Sequence, residues 1–143
     1  MSAYFDTSFL FSLYLEDVHS LQAATHAARL GEPLKIGSLL YFEFCQSVRF
    51  SITRKGLPQK TGLGAISDFD KEIENGKIVL IPCNWNVVHQ TANLLSTKYT
   101  LQKGYKTLDI LHVATALTLG VQEFFTFDKV QSDLAQAEGL KTL

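Results

Sequence analysis

Ala3-Tyr4-Phe5-Asp6-Thr7-Ser8-Phe9-Leu10 passes from an apolar triplet, through an acid and two hydroxyls, into an apolar run with helical spacing. Ser2 to Phe5 reads as a short buried strand, and Ser8 as the cap of a helix from Phe9 to about Glu16. Asp6 and Thr7 fall at the turn between them. The unit is therefore strand, turn, helix, with a carboxylate at the carboxyl end of the strand.

The same succession recurs along the chain. A helix is expected from about Val18 to Leu30, stopped by Gly31 in a left-handed conformation. Leu34 to Gly37 reads as a brief strand, and Ser38 opens a helix to about Lys55. Gln59 to Asn75 is mixed and polar, with Asp68, Asp70, Lys71, Glu72 and Glu74 marking a solvated helix face. The β-branched run Lys77 to Pro82 is a strand. Asn86 to about Lys103 reads as a helix ended by Gly104, and Thr107 as the cap of another that runs to Leu119. Glu123 to Phe127 is a strand, Lys129 to Glu138 a helix, and Leu140 to Leu143 a last edge strand. Alternating strands and helices argue for an α/β fold, a largely parallel sheet covered on both faces.

With 143 residues, 46% of them hydrophobic and 11% aromatic, one domain with a substantial core is expected. Acids or hydroxyls break every apolar stretch well short of the roughly 18 residues a membrane span needs. The amino terminus has no basic leader region, so the cytoplasm is the default compartment. Cys45 and Cys83 lie outside any C-x-x-C pattern, which disfavours a disulfide or zinc role.

Four acids sit where acids are costly: Asp6 after the first strand, Glu43 inside Leu39-Leu40-Tyr41-Phe42-Glu43-Phe44-Cys45, Asp109 inside Leu108-Asp109-Ile110-Leu111, and Asp128 after Phe124-Phe125-Thr126-Phe127. A buried carboxylate must be protonated, paired or bound to a cation. In a parallel α/β sheet the ligand crevice lies beyond the carboxyl ends of the strands, where Asp6 and Asp128 are expected. Glu43 shares a helical stripe with Leu39, Leu40, Ser47 and Phe50; Asp109 shares one with Tyr105, His112, Val113 and Ala116. Two unit charges about 4 Å apart repel by roughly 4 kcal/mol at an effective dielectric of 20, so a cluster of four calls for a cation. All-oxygen ligation favours Mg²⁺ or Mn²⁺, and such a site suits cleavage of a phosphodiester.

Each acid also has a structural reading. Asp6 could cap the next helix, Glu43 could pair with Arg49, Asp109 could serve as a first-turn acid, and Asp128 could cap the last helix. Independent explanations for all four are harder to sustain than one shared site. Thr7 and Ser8 could hold Asp6 through their hydroxyls, and His112, one turn after Asp109, could orient it or simply pack. Arg49, Arg54, Lys55 and Lys60 form one basic cluster; Lys98, Lys103 and Lys106 form another near Tyr99 and Tyr105. The net charge is −1, but with those four acids set aside 13 basic residues face 10 acidic ones, a balance of +3 that permits phosphate contacts. No P-loop, zincin or hydrolase-elbow motif occurs, and Gly62-Leu63-Gly64 lacks the preceding strand that a dinucleotide fingerprint needs.

Taken in order, Tyr4 to Leu10, the embedded Glu43, Thr107-Leu108-Asp109-Ile110-Leu111-His112-Val113-Ala114-Thr115-Ala116-Leu117, and Phe125 to Gln131 followed by Ala135 to Leu140 resemble the PIN-domain family, especially its VapC-like toxin ribonucleases. The resemblance implies a three-layer α/β/α sandwich with a mostly parallel central sheet and a single nuclease domain spanning residues 1–143. It also implies a metal-dependent endoribonuclease, a homodimer and a cognate antitoxin. The family's four acids fall on Asp6, Glu43, Asp109 and Asp128, with Asp6, Asp109 and Asp128 holding Mg²⁺ or Mn²⁺. Thr7, Ser8 and His112 would support them, and Arg49, Arg54, Lys55 and Lys106 would contact RNA. Lys106 stands where relatives often carry arginine, so a bidentate fork is lost there. Rival expectations are an RNA-processing PIN nuclease without an antitoxin, a haloacid-dehalogenase-like phosphatase, a phospho-receiver domain, or a non-catalytic binding or dimerisation module. Ser8 stands where that phosphatase would want its second acid.

Overall fold

Strand β1, Ala3–Phe5, is buried at every position and pairs in parallel with β4, Glu123–Phe125, with Tyr4 opposite Phe124. The computed structural model describes all 143 residues. β4 pairs in turn with β5, Lys141–Thr142, again in parallel. A second parallel ladder joins β2, Leu34–Ile36, to β3, Ile78–Leu80. All strand pairs are thus parallel, as expected, but they form a three-stranded and a two-stranded ladder.

By its contacts the chain divides into two compact units, one of Met1–Asp6 with Pro82–Leu143, the other Thr7–Ile81. The first holds β1, β4 and β5 with helices α5 (Trp85–Leu95), α6 (Leu101–Lys103), α7 (Thr107–Thr118) and α8 (Lys129–Ala137). Its core gathers Tyr4, Phe124, Val88, Val113 and Leu134, all essentially sealed from solvent. The second holds β2 and β3 with α1 (Thr7–Tyr14), α2 (Ser20–Leu30), α3 (Ser38–Arg54) and α4 (Gln59–Glu74). There Phe44 and Phe69 are fully buried with ring centroids 4.6 Å apart, each worth on the order of 2–3 kcal/mol of burial. Tyr14 and Tyr41 pack on Phe69 and bond through their hydroxyls to Glu72 and Asp70. Donation to Asp70 is the main reason the Tyr41 phenol is pushed up to about 12.

Several element ends differ from expectation. α1 starts at Thr7, so Ser8 lies inside the helix rather than capping it, and α1 ends at Tyr14 rather than Glu16. α2 starts at Ser20 instead of Val18, because Asp17 turns the chain: its Oδ1 accepts the His19 N–H at 2.8 Å. Gly31 ends α2 with φ of 62°, as expected. The helix expected from Asn86 to Lys103 starts at Trp85, where the Asn84 side chain caps it by accepting the Val87 N–H. A π turn, Ser96–Thr100, then interrupts it. Thr107 is the first residue of α7 and Lys106 occupies its cap position. β4 stops at Phe125, two residues short. Cys45 and Cys83 are free thiols, the former buried. No helix is long and apolar enough to cross a membrane.

Candidate active site

The first unit brings three of the expected acids to one neighbourhood. Asp6 follows β1, and its N–H donates to the Phe125 carbonyl at 3.1 Å, so the backbone still tracks β4 as the strand ends. The Asp6 side chain is 0% exposed. Thr126, the residue after β4, donates its hydroxyl to Asp6 Oδ2 at 2.6 Å, the length of a charge-assisted bond. Thr126 Oγ1 in turn accepts the Asp128 N–H at 2.9 Å. One hydroxyl therefore ties the first acid to the loop that carries the fourth. Thr126 was not singled out in the sequence, although a lone hydroxyl between Phe125 and Phe127 was the available signal.

Asp128 caps α8: its Oδ1 accepts the Gln131 N–H at 3.1 Å. Asp109 lies in the first turn of α7, and its Oδ2 accepts the Lys106 N–H at 3.3 Å. The capping roles read as alternatives for these two acids are thus present. They leave the other carboxylate oxygen of each uncommitted by those bonds. Burial raises the Asp109 carboxyl above its ordinary value, the Lys106 N–H opposes this, and the negative charge of Asp128 raises it further. Asp128 is therefore close enough to Asp109 for their charges to be felt.

His112 is fully buried, and its Nδ1 lies 2.8 Å from the Tyr4 hydroxyl, with the two rings tilted against each other. Packing is therefore part of its role, and Tyr4 is a partner that the sequence did not reveal. Tyr105, Val113 and Ala116, expected on the Asp109 stripe, are buried as well. Glu43 belongs to the second unit, half-buried on α3. On its stripe Leu40 is buried, while Phe50 is half-exposed.

Among the basic candidates, Arg49, Arg54, Lys55 and Lys106 all have exposed side chains. Lys98 is engaged with Glu138 at 2.8 Å, a surface pair worth little in stability but one that occupies the ammonium. In the second unit, Thr7 and Ser8 line a cavity of 260 Å³ that also includes Lys55.

As the side chains stand, no group of three or more His, Cys, Asp or Glu residues is placed to hold a metal ion. Like charges with no cation between them lower their energy by standing apart. The donor chemistry fits a hard divalent cation: the candidate donors are carboxylate oxygens, one of them sealed from solvent and one held above its ordinary titration by burial and a neighbouring acid.

Parallel strands flanked by helices, with carboxylates beyond the carboxyl ends of β1 and β4, define an α/β protein with acids gathered at one end of its sheet. Residues 3–137 match the PIN domain family, and the chain belongs to it. Among solved structures it is similar to the VapC20 toxin of Mycobacterium tuberculosis, a sarcin–ricin-loop-cleaving toxin. The TM-score is 0.68 at 16% identity over 98% of each chain, a likeness of fold. No curated protein matches.

Proposed function

We propose that this PIN-domain protein is an endoribonuclease dependent on Mg²⁺ or Mn²⁺, the toxin component of a toxin–antitoxin pair. The observation that carries the reading is the Thr126 hydroxyl, which joins buried Asp6 to the Asp128 loop while Asp128 in turn perturbs Asp109. Family membership and the RNA-cleaving activity named for the structurally similar toxin support it.

Asp6, Asp109 and Asp128 would hold the cation. When bound, it supplies acidity to water and neutralises charge on the phosphoryl oxygens. Thr126 keeps Asp6 oriented and Lys106 keeps Asp109 oriented through its N–H, so a cation that draws the acids together meets carboxylates each already held by one bond. Glu43 is the proposed fourth acid, on the ground that it interrupts an apolar helix; its role is to position the attacking water. Attack in line with the departing 3′ oxygen leaves a 5′-phosphate and a 3′-hydroxyl, with no need for the substrate's 2′-hydroxyl as nucleophile. Ser8 would support Asp6, whereas the Thr7 hydroxyl, expected to do the same, has no partner and does not bond it; His112 would brace α7 through Tyr4, and Arg49, Arg54, Lys55 and Lys106 would follow the RNA backbone. The remaining parts of the proposal are a single nuclease domain, a homodimer, a cytoplasmic location and an antitoxin that blocks the site.

The test is digestion of total RNA with Mg²⁺ or Mn²⁺, with and without EDTA. Asp6→Asn and Asp109→Asn should each lower cleavage by about 10²-fold or more while the circular dichroism spectrum stays native. Product ends bearing a 2′,3′-cyclic phosphate, or cleavage that persists in EDTA, would overturn the reading. A metal titration that neither stabilises the protein nor triggers cleavage would favour a binding module instead.

A further inference from the structure

The second unit contains a cavity of 260 Å³ between α1 and α3 that the catalytic proposal leaves without an occupant. Its lining combines four hydroxyl residues, Thr7, Ser8, Ser47 and Ser51, with Phe11, Phe50 and Lys55. Thr7 Oγ1 is buried and has no hydrogen-bond partner. Such a group costs stability unless something bonds to it, and a ligand is one way to supply the bond. The Ser47 hydroxyl donates back to the Phe44 carbonyl at 3.2 Å, which leaves its oxygen able to accept. Phe50 is 50% exposed, a large ring held partly in solvent beside exposed Arg49, Arg54 and Lys55.

We infer that this cavity is a nucleobase subsite, in which one unpaired RNA base stacks against Phe50 and meets the Thr7, Ser47 and Ser51 hydroxyls, with the adjoining phosphate on Lys55. Three features select this occupant. The volume lies below the roughly 300–1,000 Å³ of pockets for drug-sized ligands, so it suits one flat ring system rather than a dinucleotide. Aromatic rings beside cations are the combination that holds single-stranded nucleic acid. Hydroxyls both donate and accept, so they meet a base edge of either pattern. The inference rests on the RNA-directed function proposed above. Thr7 is peptide-bonded to Asp6, which places the subsite's first hydroxyl one residue from the first acid.

Binding in EDTA, where cleavage does not compete, separates base from backbone. An unstructured decaribonucleotide and its fully abasic counterpart carry the same phosphates. Phe50→Ala should weaken binding of the intact oligomer about tenfold and leave the abasic one unchanged. Phe50→Leu, which keeps an apolar side chain but removes the π face, should act in the same direction. Lys55→Gln should reduce the salt slope by about 0.7 for both oligomers, the amount one single-strand phosphate contact contributes. Loss of the same size for both oligomers in the Phe50 variants, or no binding of either oligomer by the parent protein, would overturn the inference. Unchanged RNA affinity in both Phe50 variants would overturn it too and leave the cavity to a peptide. Base-dependent binding by a protein that cleaves no RNA with Mg²⁺ or Mn²⁺ would instead retain the subsite and sink the nuclease reading.

Discussion

Thr126 and Asp109 show how the site is poised at the scale of single residues. Thr126 Oγ1 is the donor to a carboxyl group that has no solvent exposure, so Thr126→Val removes a partner of a sealed polar group. That change should cost about 1–3 kcal/mol in urea unfolding and should also reduce cleavage, since Asp6 and the Asp128 loop lose their tether. Unaltered stability would show that Asp6 does not need the bond. Asp109 behaves in the opposite sense. Its carboxyl is raised by burial, so the folded protein holds that proton more tightly than the unfolded chain does. The contribution to stability is present below the ordinary aspartate value and is lost as pH rises through it towards the raised one. Asp109→Asn, which still accepts the Lys106 N–H, should therefore raise Tm at pH 7 in EDTA and leave it nearly unchanged below about pH 4. A variant less stable at both pH values would mean that capping outweighs burial. The costly placement of these acids was legible from their apolar neighbours; the Thr126 and Tyr4 partners were not, because they come from residues distant along the chain.

At the scale of elements, the order of strands and helices was readable and their ends were less so. Ser, Thr and Asp all accept N–H bonds at a helix start, so Asp6-Thr7-Ser8 offers three adjacent candidates, and only the backbone's departure from extended geometry decides among them. The π turn at Ser96–Thr100 was invisible for a related reason: one extra residue in a turn leaves the local apolar spacing almost unchanged. Gly62 illustrates a constraint between elements. It lies inside α4, and a Cβ there would meet Ile52 Cδ1 of α3 at 2.6 Å. Its glycine thus serves close helix packing, not the phosphate turn that Gly62-Leu63-Gly64 superficially suggests. Gly62→Ala should destabilise by about 1–3 kcal/mol through overpacking, despite the better helix propensity of alanine. A stabilised variant, judged by thermal melting, would mean that Ile52 swings aside without cost.

For the whole molecule, the balance of charge makes stability a function of metal. A cation offsets the repulsion that gathering these acids would cost, so Mg²⁺ that binds the folded state alone should raise Tm, by an amount equivalent to about 2.7 kcal/mol when the ion is at 100 times its dissociation constant. Asp6→Asn should abolish most of that increment, which differential scanning calorimetry would read directly; an equal increment in the variant would place the ion elsewhere. Composition, apolar periodicity and glycine stops were enough to determine an α/β chain with parallel strands and four misplaced acids, because those signals are local and depend only on which side chains water rejects. Tertiary structure alone decided that the strands form ladders of three and two, that Thr126 bridges Asp6 to the Asp128 loop, and that Tyr4 holds His112. The Thr126–Asp6 and Tyr4–His112 bonds join residues more than a hundred positions apart, and no local pattern of hydropathy encodes which distant hydroxyl will satisfy a buried polar group.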